Sequence, residues 1–189
     1  DMFIHLTERY FTNTPDVSLT DEMIEGLMRT ILKYGIVCVK EPDNYNARAQ
    51  IMWAGTLAHN DLCGVGREQD WTSHHIQRRI GAKYDSAHGA GLATIFPAWA
   101  QYVYKHDVPR FVRFATKVMG VDNDVFHPEE VALEGIHRIK AYFASLGMPT
   151  TLSELGVKEE DIQALADTAD GVYVPLSRDD IVKIYDLAR

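Results

Sequence analysis

Apolar positions along this 189-residue chain recur at helical spacing, and no convincing period-2 stretch interrupts them. The clearest run is Met23, Ile24, Leu27, Met28, Ile31 and Leu32. It follows Thr20, an N-cap residue type, and Asp21 and Glu22 suit the positive end of the helix dipole. A short helix over 1–11 precedes it and stops at Thr-Asn-Thr-Pro, 12–15. Pro42-Asp43-Asn44 is a break, after which a helix starts near Tyr45 and carries Ile51, Met52, Ala54, Leu57, Ala58 and Leu62. Apolar over several turns, that segment reads as the central buried helix.

Gly64-Val65-Gly66 ends it. Asp70 is placed to cap the next helix, 71–84, with Trp71 as a large core aromatic and His74 and Arg78 on one face. Asp85-Ser86-Ala87 forms a turn, and Gly89-Ala90-Gly91-Leu92-Ala93 allows close helix approach. Pro97 is expected to kink or restart the helix that reaches Lys105. Further helices run from Pro109 to Met119 before Gly120, and from Pro128 to Leu146 before Gly147. Two short helices over 158–168 and 178–188 close the chain, the last capped by Ser177 with Asp180 at N3. With no internal repeat, low-complexity stretch or linker, the pattern is that of one all-α domain.

Candidate chemistry lies in Asp1 and His5, four residues apart and so on one helical face. His74 and His88 flank a short turn fourteen residues apart. One carboxylate and three imidazoles suit a borderline divalent metal. His74 and His75 are adjacent and point about 100° apart, so only one of them faces such a site. His59, in His59-Asn60-Asp61, reads as an ordinary histidine, as do His106, His127 and His137, which lack a carboxylate or histidine at ligand spacing. Gly64-Val65-Gly66 follows a helix and lacks a downstream Lys-Ser/Thr, so it is no phosphate loop, and neither a dinucleotide fingerprint nor a nucleophile elbow occurs.

Composition narrows the partners. A net charge of −8 argues against nucleic acid or an anionic membrane, both of which select clustered Lys and Arg. No apolar run is long enough to cross a bilayer and no signal peptide is visible, which makes the cytoplasm the default compartment. Cys38 and Cys63 are too few for a disulfide framework and read as buried free thiols. The chain opens on Asp rather than Met, so it is expected to be part of something longer.

The ordered set of motifs is more specific than any one of them. Asp1-x-x-x-His5, Met52-Trp53-Ala54-Gly55-Thr56, Gly64-Val65-Gly66-Arg67, Asp70-Trp71, His74, Tyr84-Asp85 and His88-Gly89-Ala90-Gly91-Leu92-Ala93 follow one another. Phe143-Ala144-Ser145-Leu146-Gly147-Met148-Pro149 and the ending Asp180-Ile181 to Ile184-Tyr185 continue the series. This order resembles the C-terminal half of the iron-containing (group III) alcohol dehydrogenases, in the butanol dehydrogenase and NADPH-dependent aldehyde reductase branch. The resemblance implies a multi-helical array, the all-α C-terminal domain of a dehydroquinate synthase-like two-domain subunit. Residues 1–189 would be its helical metal-binding catalytic domain, with the α/β nucleotide-binding domain outside this chain. It implies Asp1, His5, His74 and His88 as ligands of Fe²⁺ or Zn²⁺, and it chooses His74 over His75. It further implies NAD or NADP held mainly by the other domain, a small alcohol or aldehyde substrate, and a possible homodimer. No cofactor-binding residue in this chain is assigned.

One departure bears on activity. Where the family commonly reads Glu-His-Glu, this chain reads Gln77-Arg78-Arg79. The resemblance implies that this central His faces nicotinamide and substrate, which would put Arg78 at a catalytic position. A fixed cation there opposes a dication and an oxidised nicotinamide ring, or else orients an anionic group. The leading expectation is the metal-binding half of an NAD(P)-dependent alcohol dehydrogenase or aldehyde reductase. The alternative is a non-catalytic metal-binding or scaffold domain of the same ancestry. An all-α metal hydrolase is a distant third, because His59-Asn60-Asp61 is its only candidate motif.

Overall fold

The computed structural model describes residues 1–167 and 171–189, and the described residues form nine α-helices and no strand. The first is α1 (Met2–Tyr10), short enough to be unstable alone, so its helicity comes from tertiary burial. Phe3, Ile4, Leu6 and Tyr10 enter the core, and so do the polar Thr7, Glu8 and Arg9. Each of these polar groups finds a partner. Arg9 donates from Nη1 to the carbonyls of His5 (2.9 Å) and Ala58 (3.0 Å), and Thr7 Oγ1 donates to the Ile4 carbonyl at 2.9 Å.

Two long helices follow, α2 (Ser18–Lys40) and α3 (Tyr45–His59). The start of α2 differs from expectation: Val17 is the N-cap residue, and Thr20 lies inside the first turn, donating from Oγ1 to the Val17 carbonyl at 3.0 Å. In α3 the Asn44 side chain accepts from the Ala47 N–H at 3.0 Å and caps the helix. This helix is not the buried centre. Only Ala47, Ala54 and Ala58 are buried in it, while Met52 and Trp53 are 75% and 61% exposed. It also ends at His59, leaving Leu62 in a separate 3-10 turn.

The central helix is α5 (His88–Val103), in which every residue from 91 to 100 is buried. Its small residues let α4 (Thr72–Tyr84), α7 (Pro128–Ser145) and α9 (Arg178–Leu187) pack around it. Pro97 lies within α5 without ending it, because tertiary packing on all sides compensates for the lost hydrogen bond. The remaining helices are α6 (Val108–Lys117) and the single turn α8 (Ile162–Leu165). That turn and a preceding 3-10 turn (Glu159–Asp161) replace the longer helix expected over 158–168, whose last residue lies outside the described residues. Cys63 is buried as expected, but Cys38 is only half-buried. No described helix is long and apolar enough to cross a membrane.

A buried ion network ties α1, α2 and α6 together. Asp21 accepts from Arg67 Nη2 at 2.9 Å and Arg110 Nη2 at 3.1 Å, and Glu25 accepts from the Tyr10 hydroxyl at 2.8 Å and from Arg113. Removing one partner of such a network leaves an uncompensated buried charge, which makes it a positional lock.

The C-terminal cap gives a direct test of local structure. Ser177 and Asp180 form a reciprocal capping box on α9, and the Asp180 carboxyl is held below its usual range by the hydrogen bonds from Ser177 and then from Tyr102. Ser177→Ala is expected to cost about 1 kcal/mol in urea denaturation at pH 7. Because the folded-state pKa of Asp180 is depressed, its contribution is complete above about pH 4 and is lost as pH falls further. The gap between wild type and Ser177→Ala should therefore narrow in acid.

Candidate metal centre

Three helices bring the expected donors together. Asp1 is the N-cap residue of α1 and His5 lies one turn on, His74 sits in the first turn of α4, and His88 begins α5. Asp1 Oδ1 lies 3.3 Å from His74 Nε2, 3.4 Å from His88 Nε2 and 3.5 Å from His5 Nε2. A tetrahedral centre with bonds of about 2.1 Å has donor–donor edges of about 3.4 Å, and these three separations match the edges that meet at one such donor. The donors close into two overlapping groups that share Asp1: Asp1, His74 and His88, and Asp1, His5 and His59. Within each group the ligand atoms all lie within 4.8 Å of one another. His75, the neighbour of His74, is exposed.

The supporting shell is specific for two of the imidazoles. Glu8 is buried and bridges α1 to α4, accepting from the His74 backbone N–H at 3.1 Å and from its Nδ1–H. That fixes the tautomer that leaves Nε2 as a lone-pair donor aimed at the site. Burial pushes the Glu8 pKa up while His74 pulls it back, so the carboxylate depends on its imidazole partner. His88 is set in the same way: its Nδ1–H donates to Gln77 Oε1 at 2.6 Å. Gln77 is thus a positioning partner of a site residue and not only the loss of an acidic charge. His5 Nδ1 is buried and has no hydrogen-bond partner among the described residues.

Electrostatics favour neutral rings at His5 and His88. His5 is held down to about 3, chiefly by burial and then by the nearby His59, His74 and Arg9. His88 is also lowered, first by burial and then by neighbouring charges including Arg78. Neutral imidazoles are the ligating form. Arg78 itself is exposed and forms no hydrogen bond or ion pair with the described residues, whereas Arg79 pairs with Asp167.

Sequence reasoning missed three groups: Glu8, Gln77 and His59. His59 Nε2 lies 3.0 Å from Asp1 Oδ2, and its ring centroid is 4.1 Å from that of His5. The expectations for the Trp71 turn also need correction. Trp71, not Asp70, is the N-cap residue of α4, and Trp71 is half-buried, with its ring against His5, His74 and the Arg9 guanidinium. Asp70 is buried and accepts from Thr72 Oγ1 at 3.0 Å and the Tyr173 N–H at 3.3 Å. His127, thought unpaired, meets Asp124 at 2.8 Å on the exposed surface far along the chain.

The Fe-containing alcohol dehydrogenase C-terminal family model matches residues 1–188. The chain belongs to that family. NADH-dependent butanol dehydrogenase B of Clostridium acetobutylicum is 38% identical over 168 residues, covering 88% of this chain and 43% of that protein. The NADPH-dependent aldehyde reductase YqhD of Escherichia coli is 34% identical over 168 residues, covering 87% of this chain and 42% of that protein. Among solved structures, an NADH-dependent butanol dehydrogenase A from Thermotoga maritima superposes with a TM-score of 0.93 at 36% identity, covering all of this chain and 50% of that one. The chain therefore spans less than half the length of these curated relatives, and the all-α architecture is that of their C-terminal portion.

The packing around Gln77 is close enough to test. A Cβ at Gly91 would lie 2.7 Å from Gln77 Cγ, and one at Gly81 would lie 3.0 Å from Gln77 Nε2. Gly91→Ala is expected to destabilise the metal-free protein by about 1–3 kcal/mol in urea denaturation, as overpacked cores do.

Proposed function

We propose that this chain is the metal-binding helical half of an NAD(P)-dependent alcohol dehydrogenase or aldehyde reductase. The convergence of three Nε2 atoms on Asp1 Oδ1 carries this reading. Family membership, and relatives named as butanol dehydrogenases and an aldehyde reductase, support it. Asp1, His5, His74 and His88 would hold Fe²⁺ or Zn²⁺. When bound, the metal supplies a Lewis acid for an alcohol or carbonyl oxygen, and the nicotinamide supplies the hydride carrier. The chain's own residues provide geometry and charge. Glu8 and Gln77 keep two Nε2 lone pairs aimed inward, and Trp71 shields His5 and His74 from water on one side. The nucleotide would be held mainly by a domain outside this chain, with the substrate in the cleft between the two; homodimerisation and a cytoplasmic setting remain part of the same proposal.

The test uses the full-length protein supplied anaerobically with Fe²⁺ or Zn²⁺. About one metal per chain is expected, with its loss in His74→Ala, together with NAD(P)-dependent turnover of primary alcohols or aldehydes. Metal without turnover would defeat the enzymatic reading. Glu8→Gln, which keeps the shape but removes the charge that orients His74, should weaken metal binding about 10–100-fold in chelator competition.

A second reading, a non-catalytic metal-binding domain of the same ancestry, is favoured by one observation: an exposed Arg78 whose charge reaches His88. It predicts that Arg78→His creates turnover that the native protein lacks. High turnover with Arg78 in place excludes it.

A further inference from the structure

Resting on the metal site proposed above, we infer that His59 is an additional ligand of the same ion, so that four imidazoles and Asp1 surround one centre. His59 closes α3, and its ring is held from both nitrogens. Nδ1 lies 2.7 Å from the Gly55 carbonyl oxygen. A carbonyl only accepts, so Nδ1 carries the proton and donates it. That leaves Nε2 as the atom turned to Asp1, 3.0 Å from Oδ2.

Either a proton on Nε2 or a cation beside the pair satisfies that contact, and the cluster of neighbouring ligand atoms points to the cation. The surroundings supply donors for a metal ion: His5 joins Asp1 and His59 in one group of ligand atoms within 4.8 Å, and His74 and His88 form a second such group with the same Asp1. The backbone carbonyl that orients His59 is the same kind of support that Glu8 gives His74 and Gln77 gives His88. Asp1 thus has one oxygen toward His5, His74 and His88 and the other toward His59.

Co²⁺ titration of the metal-free full-length protein tests this, comparing wild type with His59→Gln and His74→Ala. Visible d–d absorption is read along with affinity, since its intensity rises as coordination falls from five to four. The inference expects one Co²⁺ per wild-type chain. In His59→Gln it expects about 10–100-fold weaker binding and a more intense d–d band. His59 is 41% exposed, so the substitution should leave the melting temperature of the metal-free protein unchanged. If His59→Gln keeps the wild-type affinity and spectrum while His74→Ala loses the metal, the inference falls and the metal-site reading stands. A proton on Nε2 in place of a metal bond would give that result. Two Co²⁺ per wild-type chain, falling to one in His59→Gln, would also overturn it. No binding by wild type would overturn both readings.

Discussion

The Glu8–His74 clamp is the interaction on which the site depends. One buried carboxylate accepts both from the first-turn backbone of α4 and from the imidazole that α4 contributes. It therefore fixes the position of one helix on another and the rotation of the His74 ring at once. The cost is a charge with almost no exposure to water, which is tolerated only because both oxygens are paired. Without the clamp, α1 and α4 would still pack, but Asp1 and His5 would no longer have a fixed relation to His74.

The same logic spreads outward. Arg9 holds α1 to the end of α3 through the Ala58 carbonyl, and Arg67 holds the following segment to α1 and α2 through the Arg9 carbonyl and Asp21. The polar residues of α1 are thus not solvated faces but fasteners. Apolar burial of Phe3, Leu6 and Tyr10 supplies the driving force, and the fasteners select one arrangement. On the far side, Gly81 and Gly91 leave room for Gln77 to reach His88. Small residues there serve the setting of the His88 ring as well as helix approach.

Arg78 sharpens the chemical question. Its exposure means that it need not compete for the interior of the site, yet its charge lowers the proton affinity of His88. That positive charge would oppose a dication held by Asp1, His5, His74 and His88.

Much was legible in the chain itself. Most of the helical periods, the Ser177–Asp180 cap and the stop at Gly147 are local, set by side-chain spacing and backbone freedom, and the structure reproduces them, although α6 ends at Lys117, short of Gly120. The pairing of Asp1 with His5 is local too, since one helical turn dictates it. Burial was less legible. The apolar stretch 51–62 was expected at the centre, but periodicity cannot tell a helix covered on all sides from one covered on a single face, and α5 takes that place because its small residues admit three neighbours. The contacts of Glu8, Gln77 and His59 were not legible for a related reason. Glu8 lies 66 residues from His74, and His59 lies 58 residues from Asp1. No spacing rule links such groups; only the docking of α1, α3, α4 and α5 places their polar atoms within hydrogen-bond reach. The sequence by itself determined the helices and the donor types, because those are set within one turn. The tertiary structure alone decided which donors meet and how each ring is turned, because that depends on contacts between helices remote in the chain.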